Sequence, residues 1–178
     1  PRDKHWTTPL HYAAFKGHLD IVKYLVDKEV KSHITGLFKI NDRNPRNKYG
    51  YTPLHAAALR GHLDIVMYLV DRIDDSIMKN PKNNTGSTPL HAAALRGHLD
   101  IVMYLVDRID CSIMKNPKND VGITPLHQAA KMGHIDVVKY IVANIDEKEK
   151  NPADGEGTTP QQLALSNQFF DIAELFNP

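Results

Sequence analysis

Ten histidines and one cysteine are the side chains of this 178-residue chain best suited to metal or acid–base chemistry. Imidazole is a common metal ligand and moves protons near neutral pH, and a thiolate is a strong nucleophile once a neighbouring base or cation lowers its pKa. Their positions argue against both chemistries. Eight of the histidines (His11, His18, His55, His62, His91, His98, His127 and His134) are two motif positions, each occurring four times. A metal site needs ligands that converge, whereas repeated positions are spread along an array. Hydrogen bonds at turns and helix ends account for such histidines in every copy. Cys111 corresponds to Asp75 in a neighbouring, nearly identical segment, so it reads as a bystander thiol. No phosphate-cradling glycine loop, paired-carboxylate motif or metal-binding cysteine pattern appears. The chain is therefore expected to lack a catalytic centre, a metal and a cofactor.

Self-similarity points to the elements that must position these residues. Thr-Pro-Leu-His occurs at 8–11, 52–55, 88–91 and 124–127, followed by a decayed copy, Thr159-Pro160-Gln161-Gln162. Successive threonines lie 44, 36, 36 and 35 residues apart. Thr88 suits a helix N-cap, worth about 1 kcal/mol, and Pro89 the first helical position, where no N–H is needed. The alanines at 92–94 favour helix and let a neighbouring helix approach closely. Gly97 fits the left-handed residue just past a helix end. Ile101, Val102, Leu105 and Val106 then place one apolar stripe on a second helix. Helix pairs this short cannot bury that stripe alone, so the copies are expected to stack.

The pattern Gly-x-Thr-Pro-Leu-His-x-Ala-Ala-x-x-Gly-His, complete from Gly50, Gly86 and Gly122, resembles the ankyrin repeat. The first copy has Trp6 where that glycine is expected, and the last has Gln168-Phe169 in place of Gly-His. The resemblance implies an all-α solenoid of about five stacked helix–turn–helix units with projecting β-turn fingers. One domain, 1–178, is expected, with units near 3–46, 47–82, 83–118, 119–153 and 154–178, the last a C-terminal cap. Copies two and three exceed the family's roughly 33-residue repeat by three residues. Leu69, Ile73 and Ile77 fall four apart there, which predicts that helical structure continues over the insertion until Pro81 forces the chain extended. The Asn-Pro pairs at 44, 80, 116 and 151 read as turns.

In this family the fingers and first helices line a concave groove that usually binds proteins. The corresponding finger residues are His5, Thr7, Tyr49, Tyr51, Thr85, Ser87, Val121 and Ile123. The first helices supply Tyr12, Phe15, Lys16, Leu59, Arg60, Leu95, Arg96, Gln128, Lys131 and Met132. An apolar row (Phe15, Leu59, Leu95) thus runs beside a cationic one (Lys16, Arg60, Arg96), and tyrosine and arginine are frequent interface anchors. The expected partner is another protein presenting an extended segment with apolar and acidic residues. Residues 55–90 and 91–126 differ only at Asp75/Cys111, Asn84/Asp120, Thr85/Val121 and Ser87/Ile123. Three of those differences lie in the fingers, as expected of a recognition surface on a retained framework and equally of solvated loops under relaxed constraint.

Charge and composition bound the alternatives. A formal net charge of +1 argues against general nucleic-acid or membrane-surface binding. The apolar runs are too short to span a bilayer, and one cysteine suits a reducing compartment. No signal-peptide pattern opens the chain. A cytoplasmic, monomeric binding module or adaptor is expected, and the Asn83-Asn84-Thr85 sequon is expected to stay unused. A second basic surface lies at 28–48, where six Lys and Arg stand against two acids. It reads as a solvated face, or as an accessory contact for an acidic partner or lipid head group. A structural spacer, a self-associating array, and an engineered or recently amplified array without an evolved partner are the alternative readings.

Overall fold

Five helix pairs follow one another in the computed structural model, which describes residues 2–32, 45–72, 80–108 and 115–177, with side chains excepted at 28–32. The first pair is α1 (Pro9–Lys16) and α2 (Leu19–Ser32), the second α3 (Pro53–Arg60) and α4 (Leu63–Val70). The third is α5 (Pro89–Arg96) and α6 (Leu99–Val106), the fourth α7 (Pro125–Met132) and α8 (Ile135–Ala143). A 3-10 turn, Glu147–Glu149, precedes the last pair, α9 (Pro160–Ser166) and α10 (Phe170–Glu174). Among the described residues there is no strand. The all-α stack is as the repeat predicts. The continuation over Ile73 and Ile77, residues 33–44 of the basic segment, and Cys111 lie outside the described residues.

Threonine and proline start the first helices as expected, and the histidine three residues later completes the start. In α3, His55 N–H donates to Thr52 Oγ1 at 3.4 Å while Thr52 N–H donates to His55 Nδ1 at 3.2 Å. This reciprocal capping box, ordinarily closed by Glu or Gln, recurs at Thr8, Thr88 and Thr124. With Nδ1 accepting, Nε2 carries the proton and donates to a finger carbonyl of the next unit. His11 reaches Tyr51 O at 2.9 Å, His55 Ser87 O at 3.1 Å, His91 Ile123 O at 3.0 Å and His127 Thr158 O at 3.1 Å. Each of these rings therefore closes its own helix and ties it to the following finger.

The Gly-His histidines point the other way along the stack. His62, His98 and His134 reach Phe15 O, Leu59 O and Leu95 O, each the end of the preceding first helix. Their rings pack so closely on the preceding unit that a Cβ on Gly97 would lie 2.6 Å from His134. Gly97 also holds φ +70°, so the position demands glycine twice over. The first helices pack on one another in series, as do the second helices. Between the layers, Leu54, Leu90, Leu126, Ile65, Ile101 and Val138 are fully buried.

The fingers form a continuous ribbon. In each, an Asn or Asp side chain accepts two backbone N–H groups: Asn83 Oδ1 takes those of Thr85 and Ser87, both at 2.9 Å. Asp3, Asn47, Asn119 and Asp154 repeat the arrangement. Successive fingers are joined by backbone bonds, Lys48 N–H to His5 O, Asn84 to Tyr49, Asp120 to Thr85 and Gly155 to Val121. Trp6 and Gln168, the two departures from the glycine pattern, are the described non-glycine residues with positive φ, at +61° and +65°. The backbone geometry is kept where its preferred residue is lost.

Candidate binding groove

Most of the residues predicted for the groove line three clefts along the stack. At the junction of units one and two, Tyr12, Phe15, Tyr51 and Leu59 line a cleft of about 280 Å³ with Thr7, Asn47, His55 and Ala56. Leu59, Arg60, Leu95, Arg96 and Met132 meet over the ends of α3, α5 and α7, beside His98 and His134. Val121, Ile123, Gln128 and Lys131 share a third cleft of about 350 Å³ at units four and five. Lys16 lies beside Tyr12 in a further cleft on the outer face of the first unit. Tyr49, Thr85 and Ser87 line none of these clefts.

Local geometry explains which side chains are available. Tyr12, Tyr49, Tyr51, Val121 and Met132 are exposed although large and apolar. Arg60 lies over the Phe15 ring, 4.8 Å from its centroid, so the apolar and cationic rows interlock across the repeat boundary. Tyr49 stacks on His5 and carries Lys48 over its face at 4.9 Å. Thr85, by contrast, spends its hydroxyl on Asn83 Oδ1, and Ser87 Oγ accepts from Asn119 Nδ2. Of the twin-repeat differences, Asn84/Asp120 faces the neighbouring finger, where Asn84 Nδ2 donates to Lys48 O at 3.0 Å. Thr85/Val121 and Ser87/Ile123 carry the change of surface, from hydroxyl to hydrocarbon.

Sequence reasoning missed the far end of the groove. Asp154, Glu156, Thr158 and Leu163 of the fifth unit complete the third cleft. The Asp154 carboxyl is held below the usual carboxylate range by the backbone N–H of Thr158, against the opposing effect of desolvation. The available signal was register: Glu156 and Thr158 occupy the finger positions of Val121 and Ile123, but the degenerate motif marked this unit only as a cap.

Opposite the groove the second helices carry a ladder unrelated to it. Tyr104 donates to Asp71 at 2.8 Å and Tyr68 to Asp27 at 2.9 Å, and Tyr140 bonds Asp107 in the same way. Arg72 and Arg108 lie over the rings of Tyr68 and Tyr104, 3.6 and 3.5 Å from their centroids. Partial burial, then donation to Asp71, pushes the Tyr104 hydroxyl up to about 12. Burial also dominates at His55 and His91, whose imidazoles are lowered from 6.5 to about 4 and stay neutral near pH 7. Among the described residues, no three His, Cys, Asp or Glu gather as metal ligands. No helix there is long and apolar enough to cross a membrane.

Comparison with curated proteins gives no match. A family model for three consecutive ankyrin repeats matches residues 30–116 and 111–177, and one for a single ankyrin repeat matches residues 5–35. Ankyrin repeats generally act as protein–protein interaction modules and are typically non-catalytic. With matched segments covering nearly its whole length and the stacked helix pairs, capping boxes and linked fingers of one repeating unit, this chain belongs to the ankyrin repeat family.

Proposed function

We propose that the chain is a non-catalytic recognition module that holds an extended segment of another protein along its fingers and first helices. Tyr12, Phe15, Tyr49, Tyr51, Leu59 and Leu95 provide the apolar contacts. Lys16, Arg60 and Arg96 attract acidic side chains beside them. Val121, Ile123, Lys131 and Met132 receive the rest of the segment, and Thr85 and Ser87 set a polar step between. The observation that carries this reading is the interlocked Phe15–Arg60 pair beside exposed Tyr12 and Tyr51, an apolar and cationic surface across the first repeat boundary. Contiguous exposed apolar side chains of this kind mark interaction sites.

Charge gives the segment a direction. Cations dominate over units one to three, whereas the last cleft sets Asp154 and Glu156 beside Lys131. The favoured partner is acidic and apolar against units one to three and ends in a basic residue at unit five. Panning a peptide library against the wild type and an Arg60→Glu/Arg96→Glu variant tests this. Ligands rich in Asp and Glu that lose at least about tenfold in affinity for the variant, with helicity preserved, support the reading. Ligands that bind both equally overturn it.

A further inference from the structure

One hydrogen bond that joins the fingers of units three and four has no counterpart between units two and three. Asn119 Nδ2 donates to Ser87 Oγ at 3.3 Å. One unit earlier the same two positions hold Asn83 and Tyr51, and tyrosine has no acceptor where the serine oxygen stands. Asn83 is 6% exposed, and its Nδ2 is buried with no hydrogen-bond partner among the described residues. An unpaired buried donor weakens a fold, so serine at residue 51 would serve the stack better. A residue that weakens the fold while shaping an exposed cleft is expected of a binding position.

That cleft is the one of about 280 Å³ that Tyr51 lines with Tyr12 and Phe15. Three aromatic rings meet there, where the following junction has Ser87, Ala56 and Leu59 in register. The polar groups of its wall are committed within the fold. Tyr12 donates to Asp3, His11 Nε2 to Tyr51 O and His55 Nε2 to Ser87 O, while both Nδ1 atoms belong to capping boxes. The surface left for a ligand is mainly hydrocarbon, and the volume is small for a ligand pocket, enough for one side chain. Arg60, exposed, lies over the Phe15 ring and has no carboxylate partner among the described residues. It disfavours a cation in the cleft and attracts an anion beside it.

Resting on the recognition reading above, we propose that this cleft is the anchor subsite of the groove. It takes one uncharged aromatic or branched aliphatic side chain of the partner segment, with an acidic residue beside it on Arg60. Tyr51 determines that specificity, serving the ligand and not the stack.

Two variants separate these roles. Tyr51→Ser installs the residue of the twin unit, and Tyr51→Ala removes the ring without supplying an acceptor. Tyr51→Ser is expected to melt about 2–4 °C above Tyr51→Ala, because Asn83 Nδ2 regains its partner. The probes are N-acetyl-Phe-Glu-amide, N-acetyl-Ala-Glu-amide and N-acetyl-Phe-Lys-amide, titrated into the full chain at low salt and followed by NMR shifts of Tyr12, Phe15 and Ala56. Wild type should bind Phe-Glu at least about tenfold tighter than Ala-Glu and about threefold tighter than Phe-Lys. Both Tyr51 variants should lose at least about tenfold in Phe-Glu affinity, and Arg60→Glu should remove the preference for Glu over Lys. The inference is overturned if Phe-Glu and Ala-Glu bind alike, if Tyr51→Ser binds Phe-Glu as wild type does, if the two Tyr51 variants melt together, or if Arg60→Glu keeps the Glu preference. The two readings fail separately. Panned peptides indifferent to Arg60→Glu/Arg96→Glu overturn the extended-segment reading, whereas panned peptides that respond to it but are unaffected by Tyr51→Ser overturn the subsite alone.

Discussion

Histidine carries two tasks here, and both are set by which ring nitrogen holds the proton. His55 and His91 accept at Nδ1 from the capping threonine and donate from Nε2 to the next finger, so protonating Nδ1 breaks the cap. Their folded pKa values, about 4, lie below the unfolded 6.5. Above pH 6.5 both states are neutral and the contribution is complete. As pH falls from 6.5 towards 4 the unfolded chain takes up protons that the folded chain refuses, and stability is lost at about 1.4 kcal/mol per pH unit for each histidine. A His55→Gln/His91→Gln variant should show a shallower fall of melting temperature between pH 7 and 4. Glutamine is the test residue because Gln162 already closes the same box, accepting from Thr159 N–H at 2.9 Å. An unchanged slope would rule out these rings as the source. At Trp6 the left-handed backbone is held by a side chain with no preference for it, so Trp6→Gly should raise stability by about 1 kcal/mol in denaturant titration.

The unit of this fold is a helix pair whose ends are closed by its neighbours. Asn116 illustrates this: its Oδ1 accepts from Leu126 N–H at 3.0 Å at the start of α7, and its Nδ2 reaches Glu149 O in the next connection. Asn80 and Asn151 make the first of these bonds to Leu90 and Gln161. The Asn-Pro pairs are therefore more than turns, since each described asparagine supplies an acceptor to an otherwise unsatisfied helical N–H. Asn116→Ala leaves that buried donor unpaired and should cost about 1–3 kcal/mol by thermal or chemical unfolding. Gly97→Ala should cost more than a typical surface change, because it opposes both the φ of +70° and the His134 ring. A stability equal to wild type in that variant would mean that the junction is looser than its contacts imply.

Across the whole molecule, stability depends on nearest neighbours and recognition on what differs between them. Removing residues 154–178 takes away the Thr158 carbonyl that receives His127 and the Phe169 ring that packs on Gly133. The remaining array should melt several degrees lower, with exchange fastest in α7 and α8. An unchanged transition would mean that the last unit does not cap the stack. The sequence was sufficient to establish the repeating unit, its helix starts and stops and the structural role of the motif histidines, because those depend on residue type at fixed local spacing. The direction of each histidine bond, towards the following finger or the preceding helix, depends on neighbours 31–47 residues away and came only with the stack. The same holds for the groove. Sequence register placed Phe15 and Arg60 in separate rows, and tertiary packing laid one on the other. It also brought the acidic finger of the fifth unit beside Lys131 and left Ile21 facing outward, since burial is a property of what stands next to a residue and not of the residue itself.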